Sequence, residues 1–72
     1  MRSEIKEYHD MKKKVAILDK DDKAYFGVVG MVDSSSFTLI AAEDVTLTIR
    51  YEDVQYVESY DDYMEFIQIS ND

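Results

Sequence analysis

Cysteine, proline and tryptophan are absent from this chain, and histidine occurs once. Without cysteine there is neither a disulfide staple nor a thiolate metal cluster. A lone histidine, His9, set among charged residues with no cysteine nucleophile and no second histidine, reads as a surface residue, and no catalytic triad can be assembled around it. Carboxylates are plentiful, but nothing marks a cleft that would push one pKa away from another. The expectation is therefore a protein that is not an enzyme and needs no cofactor or metal. Long apolar runs are missing too: no segment approaches the roughly 18 consecutive apolar residues of a membrane span. The charged residues from Arg2 to Asp10 leave no room for the apolar core of a secretory signal, so a cytoplasmic address is expected.

Basic residues are scarce at one end of the chain. Residues 51–72 hold seven acids and no base, whereas residues 1–14 hold five bases against three acids, and the net charge is −8. Such a balance repels phosphate backbones at long range, so nucleic acid would need a locally basic face. It also serves solubility without any further role. Seventy-two residues make one domain, 1–72. A chain of this size buries only about 60% of its unfolded surface. With no disulfide or metal available, oligomerisation or a protein partner is the remaining source of added stability.

The pattern along the chain predicts a helix followed by short strands. Residues 1–14 form the helical segment: Ser3 is a candidate N-cap, Glu4 suits the positive end of the helix dipole, and Lys12, Lys13 and Lys14 suit the negative end. Ile5, Tyr8 and Met11 make a narrow apolar stripe that must dock on the rest of the chain. Val15 and Ile17 begin a strand that ends in the polar turn 19–23. Residues 24–32 are β-branched and aromatic, with Gly27 and Gly30 marking a strongly bent strand. A turn at 33–36 precedes a third strand over 37–42, and Glu43-Asp44 a fourth in which Val45, Leu47 and Ile49 alternate with polar residues. Residues 51–53 make a single helical turn before a short closing strand over 54–57. Residues 63–69 have β character behind Asp61-Asp62 and read as an added edge strand or as an acidic tail within 59–72. The expected fold is mainly β: a short N-terminal helix, then a five-stranded, strongly bent small barrel over 15–58. Closing the sheet removes exposed edges.

Two motifs carry a resemblance. Gly27-x-Val29-x-x-Val32-Asp33 resembles the first Sm motif, and Ile49-Arg50-Tyr51-x-x-Val54-x-x-Val57 resembles the second. The pair lies in the right order and implies an Sm-like or SH3-like barrel. The same stretch, ending in Ile49-Arg-Tyr-Glu-Asp53-Val54, is also similar to the C-terminal half of YolD-like proteins of Gram-positive bacteria and their phages. That likeness implies an accessory factor of a lesion-bypass DNA polymerase, although the longer N-terminal region of those proteins has no counterpart here. Where Sm proteins place a base-contacting asparagine this chain has Phe37, and their Arg-Gly becomes Arg50-Tyr51. The Sm resemblance thus implies Phe37 and Arg50 as nucleic-acid contacts of a ring-forming RNA binder. The competing and favoured reading has Phe37 in the core and Arg50 paired with a neighbouring carboxylate.

Other spacings are weaker. Asp19, Asp21 and Asp22 are arranged like part of a calcium loop, but Ala24 replaces the required glycine and no glutamate closes the loop, so a solvated hairpin turn is expected. Gly27-Val28-Val29-Gly30 has the Gly-x-x-Gly spacing of a backbone clamp, yet two valines in the middle point to a buried strand. The acidic end is the best functional candidate. Tyr51, Tyr56, Tyr60 and Tyr63 interleave with Glu58, Asp61 and Asp62, and tyrosines give interface area at low entropy cost. The expected function is a protein-interaction module that binds a basic protein, or copies of itself, through this face. A sharper version is a phage or mobile-element protein that blocks a basic host protein by charge mimicry.

Overall fold

The apolar residues that alternate along the chain collect on the inner face of one bent antiparallel sheet. The computed structural model describes residues 2–70. In chain order the elements are α1 (Arg2–Met11), β1 (Lys14–Asp19), β2 (Ala24–Val32), β3 (Ser36–Ala42) and β4 (Val45–Arg50). A single 3₁₀ turn (Tyr51–Asp53), β5 (Val54–Ser59) and α2 (Tyr60–Ser70) complete the chain. The strands lie in the order β4-β3-β2-β1-β5, so the last strand returns to pair with the first. An N-terminal helix followed by five strands in a bent sheet agrees with the sequence. The ladders run from β4 to β5 through the other three strands, and among the described residues none joins β4 to β5 directly.

Period-two alternation sets the faces. Val15 and Ile17 of β1 lie opposite Gly27 and Tyr25 on one side and Ser59 and Val57 on the other. With Val29, Phe37, Leu39, Ile49 and Val54 they form one buried cluster. Ile5 of α1 is fully buried in the same cluster, so the helix covers the inner face. Burial of each large side chain here contributes about 1.5–3 kcal/mol. Register shifts at Leu18/Asp19, between Val29 and Val32, and between Ile40 and Ala42 mark where the strands bend. Gly27 allows the tightest approach: a Cβ there would press on the backbone of Ile40 and Ala41.

Both chain ends differ from the sequence reading. Helix α1 stops at Met11, and Lys12 takes a left-handed conformation with φ 53°. The Lys12 N–H donates to the His9 carbonyl (3.1 Å) and the Lys13 N–H to that of Tyr8 (3.2 Å), a Schellman closure with lysine in the position glycine usually fills. Lys14 is therefore the first residue of β1. Arg2 is already helical, which places Ser3 inside the first turn and not at the cap. Met11 is exposed, leaving Ile5 and Tyr8 as the docking residues.

The larger correction concerns residues 60–70, which form helix α2 where an added strand or a tail was expected. Ser59 Oγ accepts the Asp62 N–H at 3.1 Å, and Asp61 and Asp62 occupy the first turn, where the helix dipole favours carboxylates. Tyr60, Tyr63, Met64 and Ile67 follow at helical spacing, and all are half-buried. The β character of the aromatic and branched residues lost to this cap and to that period. Helix α2 lies on the outer face of the sheet. There it covers Ala16, whose neighbours Val15 and Ile17 point inward, and its tyrosines rest on Phe26.

Candidate protein-interaction face

The outward residues of β5, the first turn of α2 and one flank of α1 meet at the end of the sheet. Tyr56 and Glu58 are two apart on β5 and share its outer face. The Tyr56 hydroxyl donates to Glu58 Oε2 at 2.9 Å. That bond, then burial and the Glu58 charge, raises the Tyr56 pKa, with Tyr8 and Asp62 adding to the rise. Tyr8 reaches the same place from α1. Its pKa is raised first by burial and then by Asp62, Glu4 and Glu58, against a backbone hydrogen bond from Ser59 that lowers it. Both phenols stay protonated at neutral pH, so the cluster presents neutral tyrosine rings beside carboxylates. Ser59, only 3% exposed, is the buried pivot between β5 and α2. Asp61 and Asp62 are exposed beside it.

Four of the expected interaction residues, Tyr56, Glu58, Asp61 and Asp62, thus fall on or beside one surface. The other three tyrosines do not. Tyr51 packs on Phe37 with ring centroids 5.3 Å apart, and the Arg2 guanidinium carbon lies 5.4 Å above its ring. Its hydroxyl is buried and has no hydrogen-bond partner among the described residues, so it belongs to the core edge. Tyr60 meets Phe26 edge-on at 5.5 Å and Tyr63 meets it at 5.3 Å, while Lys14 Nζ sits 4.0 Å from the Tyr60 ring centre. These two rings hold α2 to the sheet. Tyr8 and Glu4 join the face instead. Tyr8 was visible in the sequence only as part of an apolar stripe, and Glu4 enters through Tyr8, one turn along the same helix.

The structure does not bring Phe37 and Arg50 to one face. Phe37 is 1% exposed in the core, opposite Ile49, and offers no ring face to a base. Arg50 pairs in register with Ser36, one residue along, so it points to the opposite face, where its Nε lies 3.2 Å from Glu52 Oε1. The residue types matched an Sm pattern, but the alternation of the strand separates them. A depression of ≈ 480 Å³ between α1 and the β2–β3 turn is lined by Arg2, Lys6 and His9 but also by Asp10 and Asp33. His9 Nδ1 lies 3.1 Å from Asp10 Oδ1.

The acidic turn after β1 is structural. Asp19 Oδ1 accepts the N–H groups of Asp21 and Lys23, both at 2.9 Å, and Oδ2 accepts the Tyr25 hydroxyl at 3.0 Å. The Lys23 N–H is the largest cause of its lowered pKa, while the same carboxylate raises that of Tyr25. Asp22, at φ 65°, completes the turn, and among the described residues no cluster of ligands for a metal forms. No protein-family model matches the chain and no curated protein resembles it in sequence, so the reading of this face rests on its own geometry.

Proposed function

We propose that this protein is a non-enzymatic interaction module: a small Sm-like β fold that binds a basic segment of another protein through the face formed by Tyr56, Glu58, Asp61 and Asp62, with Tyr8 and Glu4 at its rim. The observation that carries the reading is the hydrogen bond from the Tyr56 hydroxyl to Glu58 at 2.9 Å, together with the charges of Glu58 on β5 and Asp62 on α2, which both act on Tyr56 and on Tyr8. Rings bordered by carboxylates attract lysine and arginine both through charge and through the negative face of the ring. Residues 51–72 themselves contribute no lysine or arginine to offset these acids.

A peptide array probed with the purified chain at physiological salt tests this. Bound peptides should be enriched in lysine and arginine, and the double charge reversal D61K/D62K should abolish most of the signal. Retained peptides with no excess of basic residues, or unchanged binding by D61K/D62K, would remove the reading.

A further inference from the structure

The carboxylates of this face continue into an apolar residue that the sheet does not use. Phe66 of α2 is 64% exposed and turns away from the sheet. It lies one helical turn beyond Asp62, on the same flank, and Tyr56, on which the Asp62 charge acts, is 49% exposed. Glu65 follows Asp61 at the same spacing on the next row. An exposed phenylalanine bordered by carboxylates has the composition of an interface anchor, in which an aromatic ring supplies area and the flanking charges select the partner.

The charge pattern narrows what can cover it. A nucleic acid or an anionic lipid surface would bring phosphate against Asp62, Glu58 and Glu65. A second copy docking by the same patch across a two-fold axis would set Asp62 and Glu65 against their own equivalents. A protein segment with bases on one side and apolar residues on the other satisfies both features at once. Resting on the acidic-face reading, we infer that α2 is the receptor element for a basic amphipathic helix, with Phe66 and Tyr56 as its apolar anchors and Glu58 and Asp62 as its cation contacts. Arginines of the incoming helix lie against the carboxylates, and its apolar stripe covers the Phe66 ring.

Two synthetic probes separate this inference from the reading beneath it. One is an arginine–leucine peptide of about 18 residues with its leucines on one helical face; in the other every leucine is replaced by serine. Fluorescence anisotropy at about 0.15 M ionic strength measures both against the wild-type chain, F66A and D61K/D62K. The wild type should bind the leucine peptide about tenfold or more tightly than the serine peptide, as expected for an aromatic anchor. F66A, an exposed position in a helix that alanine favours, should erase that preference and keep the weaker charge-driven binding. D61K/D62K should weaken both. Equal binding of the two peptides by the wild type, lost in D61K/D62K, overturns the anchor and leaves the acidic face standing. A preference that survives F66A also overturns it. No binding of either peptide brings down both. Light scattering covers the remaining occupant: a dimer of the free chain that F66A dissociates would show that a second copy covers the patch.

Discussion

Replacing Gly27 with alanine sets two effects of opposite sign against each other. Neither glycine of this chain has a positive φ, so on backbone entropy alone an alanine would stabilise by about 0.4–1 kcal/mol. Sterics oppose it. A Cβ at residue 27 would stand 2.8 Å from the Ile40 carbonyl carbon, 3.0 Å from Ala41 Cα and closer still to the Ile40 carbonyl oxygen. All three are backbone atoms of β3, so relief requires the β2–β3 approach to open. Overpacking of this kind costs about 1–3 kcal/mol, and the upper end applies where no side chain can rotate away. The net loss should be about 2 kcal/mol, a large share of the roughly 4–11 kcal/mol available to a chain of this length. In heat it should lower Tm by about 10 °C or more. Gly30 is the internal control. A Cβ there would meet Thr38 Oγ1 at 2.8 Å and Ile40 Cδ1 at 3.2 Å, both on side chains. Rotating Thr38 sacrifices the bond it accepts from the Met31 N–H, worth about 1 kcal/mol, which the entropy gain largely offsets. G30A should therefore stay within about 1 kcal/mol of wild type. Urea unfolding followed by tyrosine fluorescence and far-UV circular dichroism measures both. If G27A proves as stable as wild type, or no worse than G30A, the close crossing at residue 27 is not what bends the sheet.

Two further outcomes follow from the hydrogen bonds. Ser59→Ala removes the cap of α2 and should cost about 1 kcal/mol. Amide exchange should accelerate in α2 ahead of the β-strands, and uniform exchange across the chain would contradict the capping role. Asp19 has a folded pKa held below its ordinary value of about 3.9. Its stabilisation is thus present above that ordinary value and lost as pH falls through the folded pKa. The stability gap between wild type and D19N should be constant from about pH 7 to pH 5 and close on further acidification. A gap of equal size at about pH 3 would show that the carboxylate charge plays no part.

Legibility in the sequence followed the range of the interactions. The strands were visible because their signal is local: Val15 and Ile17, Phe37 and Leu39, and Leu47 and Ile49 alternate within each strand, and polar turns separate them. The helix ends are not legible because they rest on one or two local bonds each. Lys12 closes α1 in a conformation lysine rarely takes, and Ser59 caps α2 with an oxygen that equally well reads as the end of a strand. The acidic face was legible in part. Glu58, Asp61 and Asp62 lie close in sequence, and a carboxylate near the surface stays near the surface. The tyrosines were not separable by composition, since each ring is half apolar and half polar and its place depends on what lies beneath it.

By itself the sequence determined the class of fold, the absence of disulfide and thiolate-metal chemistry, and the acidity of the last third of the chain, because these depend on residue types and on periods of two or a few residues. Tertiary structure alone decided which tyrosines become cement and which become surface. Phe26, more than thirty residues upstream, draws Tyr60 and Tyr63 onto the sheet, and Phe37 draws in Tyr51. Tyr8, brought by α1 to the end of β5, joins Tyr56 among the carboxylates. Contacts between residues so far apart in the chain leave no periodic trace, and only the bend of the sheet sets them.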